Sequence, residues 1–74
     1  MGEPGRPVAI TDAVIRLGQF LKLADLVDRG SDARQQIASG AVRVNGEVEL
    51  RRGRQLHPGD VVSMGSESAR VAGP

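Results

Sequence analysis

SDARQQIASGAVRVNGEVE, residues 31 to 49, sets helix, stop, strand and turn signals end to end, and the architecture can be built outward from it. Ser31 offers a hydroxyl that can cap a helix spanning roughly Asp32 to Ser39, and Gly40 can end that helix in the left-handed conformation other residues avoid. Ala33 and Ile37 stand four residues apart and face inward, which leaves Arg34 and Gln35 on the open side. Ala41 to Val44 reads as a strand in which Arg43 must face away from Val42 and Val44. Asn45-Gly46 tolerates positive φ at two consecutive positions, so the chain reverses into Glu47 to Leu50 as a tight hairpin. Arg34, Gln35 and Arg43 are not needed in a core. They are either an ordinary solvated surface or contacts for a partner.

Toward the N-terminus, Val14, Leu17, Phe20, Leu21 and Ala24 fall on one arc of a helix, with Gln19 and Lys22 opposite. Thr11 or Asp12 can cap it, and with Thr11 as the cap Ile10 packs on Ile15 as a staple. Gly18 in the helix interior costs about 1 kcal/mol relative to alanine. Close approach of another element, expected to be the second helix, would repay that. The first helix should end near Leu23 to Asp25, with Leu26 and Val27 plugging the core and Asp28-Arg29-Gly30 making a turn. Pro7 to Ile10 reads as a short edge strand, since proline at its first residue removes only a solvent-facing donor. Residues 1–6 read as a flexible tail and residues 7–74 as a single domain.

Toward the C-terminus, Arg51 to Arg54 (RRGR) is a short basic loop that can pair with Glu47 and Glu49, and Leu56 re-enters the core. Pro58-Gly59 is a turn into which Asp60 can hydrogen-bond back. Val61, Val62 and Met64 form another strand, Gly65 to Ser68 a turn, and Ala69 to Ala72 a last strand suited to pairing with residues 7 to 10.

Composition narrows the function. The 74 residues contain no cysteine, hence no disulfide framework and no thiolate metal site. No apolar run approaches the roughly 18 residues of a membrane span, and the start MGEPGRP lacks the apolar centre of a signal peptide. A cytoplasmic protein is expected, with no membrane partner. Net charge is only +1, from ten Lys and Arg against nine Asp and Glu. All but one of those cations are arginine, whose planar fork suits phosphate and stacks on bases. With one Phe and no Trp or Tyr, a single-strand binder built on aromatic platforms is disfavoured. His57 is the one histidine and reads as an exposed loop residue with no second ligand to complete a metal site. The serines lack a base and orienting group, so neither an enzyme, a cofactor nor a small-molecule substrate is expected.

The ordered pattern GAVRVNGEV at residues 40–48 and LHPGDVV at residues 56–62, preceded by the helix bearing Ala33, Arg34, Gln35 and Ile37, resembles the RNA-binding domain named after ribosomal small-subunit protein four, the S-four or αL domain. The likeness spans about residues 14 to 64, and the chain looks most like the small stand-alone bacterial members. It implies an α+β fold with two short helices packed on a small, mostly antiparallel twisted sheet. It also implies a monomer that binds structured RNA, with ribosomal RNA or a precursor foremost. Carried over position by position, it points to Arg16, Arg34, Gln35 and Arg43 as RNA contacts. Lys22, Arg29, Arg51, Arg52 and Arg54 fall in regions that border the RNA surface. Two positions depart from the family pattern, which often has an acid where Gly18 stands and a base where Gly30 stands.

Two other readings compete. A protein-interaction module attached to RNA-processing machinery would carry the same surface charge. A ubiquitin-like sulfur carrier also has V-x-V-N-G near a hairpin, but it needs a C-terminal Gly-Gly. This chain ends Ala72-Gly73-Pro74, with its helices ahead of the hairpin.

Overall fold

The computed structural model describes residues 5–73; residues 1–4 of the expected tail lie outside the described residues. The chain begins with strand β1 (Arg6–Ala9), followed by a two-residue β2 (Ile15–Arg16) that leads into helix α1 (Leu17–Leu23). Helix α2 (Gly30–Ala38) follows, and then the hairpin β3 (Val42–Val44) and β4 (Glu47–Val48). The remaining strands are β5 (Gln55–Leu56), β6 (Val61–Met64) and β7 (Glu67–Ala72). The main sheet has the order β1-β7-β6-β3-β4, antiparallel except for the β1–β7 pair, and β2 with β5 forms a separate antiparallel bridge.

Strand alternation divides this sheet into two faces. Val42, Val44, Val62, Ala69 and Val71 are buried beneath the helices, while Arg43 lies on the outer face with Ser63 and Val48 as its cross-strand neighbours. Leu17, Phe20, Leu21 and Ala24 from the first helical segment and Ala33 and Ile37 from α2 close the core from the other side. Leu26 and Val27 plug it as expected, and Leu56 is wholly buried. The terminal strand pairs with the first in register, Arg6 opposite Ala69 and Ala9 opposite Ala72. The guanidinium of Arg6 donates to the Ala24 carbonyl and so ties β1 to the end of α1.

The turns obey local chemistry. Gly40 takes φ +83, and Asn45 and Gly46 take φ 52 and +87, the primed-turn geometry that suits strand twist. The His57 amide donates to Asp60 Oδ2 at 2.7 Å, closing the Pro58-Gly59 turn.

The helix starts do not follow their expected caps. Residues 11–14 are irregular, the Thr11 or Asp12 cap and the Ile10–Ile15 staple do not form, and α1 begins at Leu17 with no side-chain cap. Its first amides are satisfied instead by a distant loop, Leu17 N–H donating to the Arg54 carbonyl at 2.8 Å and Gly18 N–H to the Arg52 carbonyl at 3.1 Å. That loop, not the second helix, is what approaches Gly18. Helix α2 likewise starts at Gly30, two residues before the expected Asp32. Ser31 is thus inside the helix rather than capping it.

Candidate nucleic-acid interface

The docking of the Arg51–Arg54 loop on α1 creates a groove. The extended Arg16 lies at the helix entrance, Lys22 in its last turn, Arg34 on the exposed side of α2, and Arg52 in the loop. All four line one open groove of ≈ 560 Å³, together with Gln19, Ser31, Ala33 and three glycines, Gly18, Gly30 and Gly53. No Asp or Glu is among the lining residues. A chain with net charge +1 therefore gathers four cations at one place, and among the described residues every acidic side chain lies outside that lining. Clustered charge of one sign in a concave surface concentrates field and attracts polyanions.

The glycines let a ligand approach backbone. A Cβ on Gly30 would lie 4.0 Å from Lys22 Nζ, so the ammonium from α1 sits close to where the family pattern often has a basic side chain. A Cβ on Gly18 would come within 2.8 Å of Arg52 Cγ. The missing side chain is what allows Arg52 to lie across the helix.

The other expected contacts are distributed differently. Arg29 precedes α2 with an extended backbone and Gln35 is exposed on α2; neither lines the groove. Arg43 is on the sheet face opposite the helices, its guanidinium donating to the Gly46 carbonyl at 3.3 Å. Arg51 and Arg54 both pair with Glu49, whose side chain is buried, while that of Arg51 stays largely exposed. Arg51 donates through Nε at 3.0 Å and Nη2 at 3.2 Å, and Arg54 through Nη1 at 2.9 Å. The Arg51 amide adds a fourth bond at 2.9 Å. The Arg51 guanidinium, followed by that of Arg54, holds the Glu49 carboxyl at about 2, well below its ordinary 4.5. The expected pairing to Glu49 is thus present, and Glu47 makes no ion pair among the described residues.

Gln19 is a lining residue that sequence reasoning placed only on the polar side of the helix. Its distance along α1 from Arg16, one turn, was the available signal. Asn45 and Asp60 brace the hairpin end: Asn45 Nδ2 donates to Asp60 Oδ1 at 3.1 Å, and Asn45 Oδ1 accepts from the Val61 amide at 2.9 Å. Among the described residues no cluster of His, Cys, Asp and Glu could hold a metal ion, and no helix is long and apolar enough to cross a membrane.

Two helices on a five-stranded, mostly antiparallel sheet, with a cation-lined groove where both helices meet a basic loop, define a small α+β domain of the αL type. The chain belongs to the S4 domain family, whose model matches residues 8–72. A curated relative, the probable ribosome maturation protein RlbA of Bacillus subtilis (strain 168), is 47% identical over 58 residues, 78% of this chain and 82% of that protein. The solution structure of YbcJ from E. coli, described as having an αL motif involved in RNA binding, superposes with a TM-score of 0.70. It is 29% identical and covers 97% of this chain and 91% of YbcJ. The 30S ribosomal protein S4e from Thermoplasma acidophilum matches with a TM-score of 0.62 at 25% identity, over 81% of this chain and 32% of that larger one.

Proposed function

We propose that this chain is a non-enzymatic, monomeric, cytoplasmic protein that docks on structured RNA, ribosomal RNA or its precursor, through the groove between α1, α2 and the Arg51–Arg54 loop. The observation that carries the reading is the segregation of Arg16, Lys22, Arg34 and Arg52 into one concavity whose lining holds no acidic residue. Family membership supports it, as do the ribosome maturation name of the Bacillus relative and the RNA-binding motif ascribed to YbcJ. A-form RNA presents phosphates and 2′-hydroxyls across a shallow minor groove, and a rigid basic surface can read that shape with little sequence preference. The cations supply most of the affinity by neutralising phosphate. Gln19 and Ser31 offer neutral donors suited to 2′-hydroxyls. Arg29 and Gln35 lie outside the groove lining and meet the RNA only where it extends beyond the groove, and Arg43, on the opposite face of the sheet, meets it only if the RNA wraps around the sheet edge.

Four phosphate contacts correspond to a slope of log K against log salt of about −3 to −3.5. Titrating a ribosomal RNA fragment at several salt concentrations, with duplex DNA of equal length as control, should give that slope and a preference for the RNA. Replacing Arg16 and Arg34 by alanine should weaken binding and flatten the slope by about 1.5. Binding indifferent to salt or to the double substitution would refute the reading. One observation favours the protein-interaction module instead: Val48 and Leu50 are large apolar side chains left 47% and 61% exposed at the β4 end of the sheet. Co-purification that survives ribonuclease would support that second reading.

A further inference from the structure

Resting on that reading of the groove, we propose that Glu49 is a positioning residue for RNA. Its buried carboxylate clamps Arg51 and Arg54 so that the loop between them delivers Arg52 to the groove. Three arginines in four residues repel one another, and a four-residue loop containing Gly53 has wide backbone freedom to restrain. Glu49 solves both problems at once. Its Oε2 accepts from the Arg51 amide and Nε, and its Oε1 from Arg51 Nη2 and Arg54 Nη1. Every donor comes from the two residues that bracket Arg52-Gly53. The Arg54 amide closes the loop onto the Arg51 carbonyl at 3.3 Å.

The clamped loop is then fastened to α1 by two backbone hydrogen bonds and one side-chain contact. The Arg52 and Arg54 carbonyls take the Gly18 and Leu17 amides, and Arg52 Cγ occupies the space a side chain at position 18 would need. The three arginines therefore have different tasks. Arg51 and Arg54 spend their guanidinium groups on Glu49. Arg52 has no carboxylate partner among the described residues and lines the groove with Arg16, Lys22 and Arg34. A carboxylate that lies outside the groove thus controls how many cations the groove contains.

The test is a double-substitution cycle on the full chain, with a ribosomal RNA fragment as probe and Glu49→Gln, Arg52→Ala and their combination as variants. Gln keeps the shape of the side chain and removes the charge that holds two guanidinium groups. Each single variant is expected to weaken binding roughly tenfold, the worth of one charge-assisted contact, and to flatten the salt slope by about 0.7 to 0.9. The combination should be no weaker than either single variant, because both remove the same contact.

Amide exchange without RNA gives an independent readout. Gly18 N–H, whose acceptor is in the loop, should exchange faster in Glu49→Gln, while Val71 N–H, bonded to the Asp60 carbonyl in the sheet, should not. If Glu49→Gln does not fold, Arg54→Gln replaces it in the same cycle. Losses that multiply in the combination, or an unchanged affinity and slope in the clamp variant, would overturn the assignment of Glu49 alone, provided Arg16→Ala and Arg34→Ala still weaken binding. Wild-type protein without salt-dependent RNA binding would overturn the groove reading and this inference together.

Discussion

Asp25 does at the end of α1 what Gly40 does at the end of α2. In both, the residue after the last turn is left-handed, with φ 60 at Asp25 and +83 at Gly40, and the two amides that follow the cap reach back into the helix. Asp25 N–H bonds the Lys22 carbonyl at 3.1 Å and Leu26 N–H the Leu21 carbonyl at 2.9 Å, while Gly40 and Ala41 bond Ile37 and Gln36 at 3.1 Å each. Both are Schellman closures, one made with the residue suited to it and one without. A Cβ in the left-handed region costs about 1 kcal/mol, and a carboxylate at a helix C-terminus faces the negative end of its dipole. Asp25→Gly should therefore raise the unfolding free energy by about 0.5–1 kcal/mol, read as a higher urea midpoint with unchanged slope. Gly40 could be recognised in the sequence because glycine advertises that conformation. Asp25 could not, because an aspartate after an apolar run fits a turn as readily as a cap.

Among the elements, hairpin and turns were legible because their chemistry is local: Asn45-Gly46 and Pro58-Gly59-Asp60 carry their own backbone instructions. The start of α1 was not. A cap search looks within a few residues, whereas the acceptors for Leu17 and Gly18 come from Arg54 and Arg52, reached only after the whole of α2 and the hairpin. The same long-range contact explains the glycine at position 18. Gly18 is the second residue of α1, so Gly18→Ala gains at most the about 1 kcal/mol of an interior position, and against that gain the new methyl must push aside Arg52 Cγ, 2.8 Å from its place. The expected outcome is a stability change near zero, measured by thermal unfolding, with RNA affinity reduced as far as in Arg52→Ala. Undiminished affinity would show that Arg52 can serve the groove from another rotamer. The groove was only partly readable for a related reason: Arg34 announces itself on an open helix face, but its nearness to Arg16 and Arg52 depends on how three separate segments pack.

At the scale of the whole molecule, acid sensitivity follows from where the anions are. Glu49 titrates at about 2 in the folded protein and ordinarily at 4.5, so the stability it contributes is complete above about pH 4.5 and is lost as pH falls toward 2. Asp60 adds in the same direction: partial burial opposes its ionisation, but the His57 amide and the Asn45 side chain outweigh it and leave its pKa lowered. Unfolding midpoints measured between pH 5 and 2 should decline, and the decline should be shallower in Glu49→Gln. The topology also fixes an order of events. Strand β7 lies between β1 and β6, so β1 has no sheet partner among the described residues until residues 67–72 have been made. Helix α2 and the β3–β4 hairpin use only neighbouring segments and are free to form sooner, whereas the first turn of α1 waits for the Arg52 and Arg54 carbonyls. During synthesis β1 thus waits on β7, and the basic helices emerge before the strand that completes the sheet beneath them.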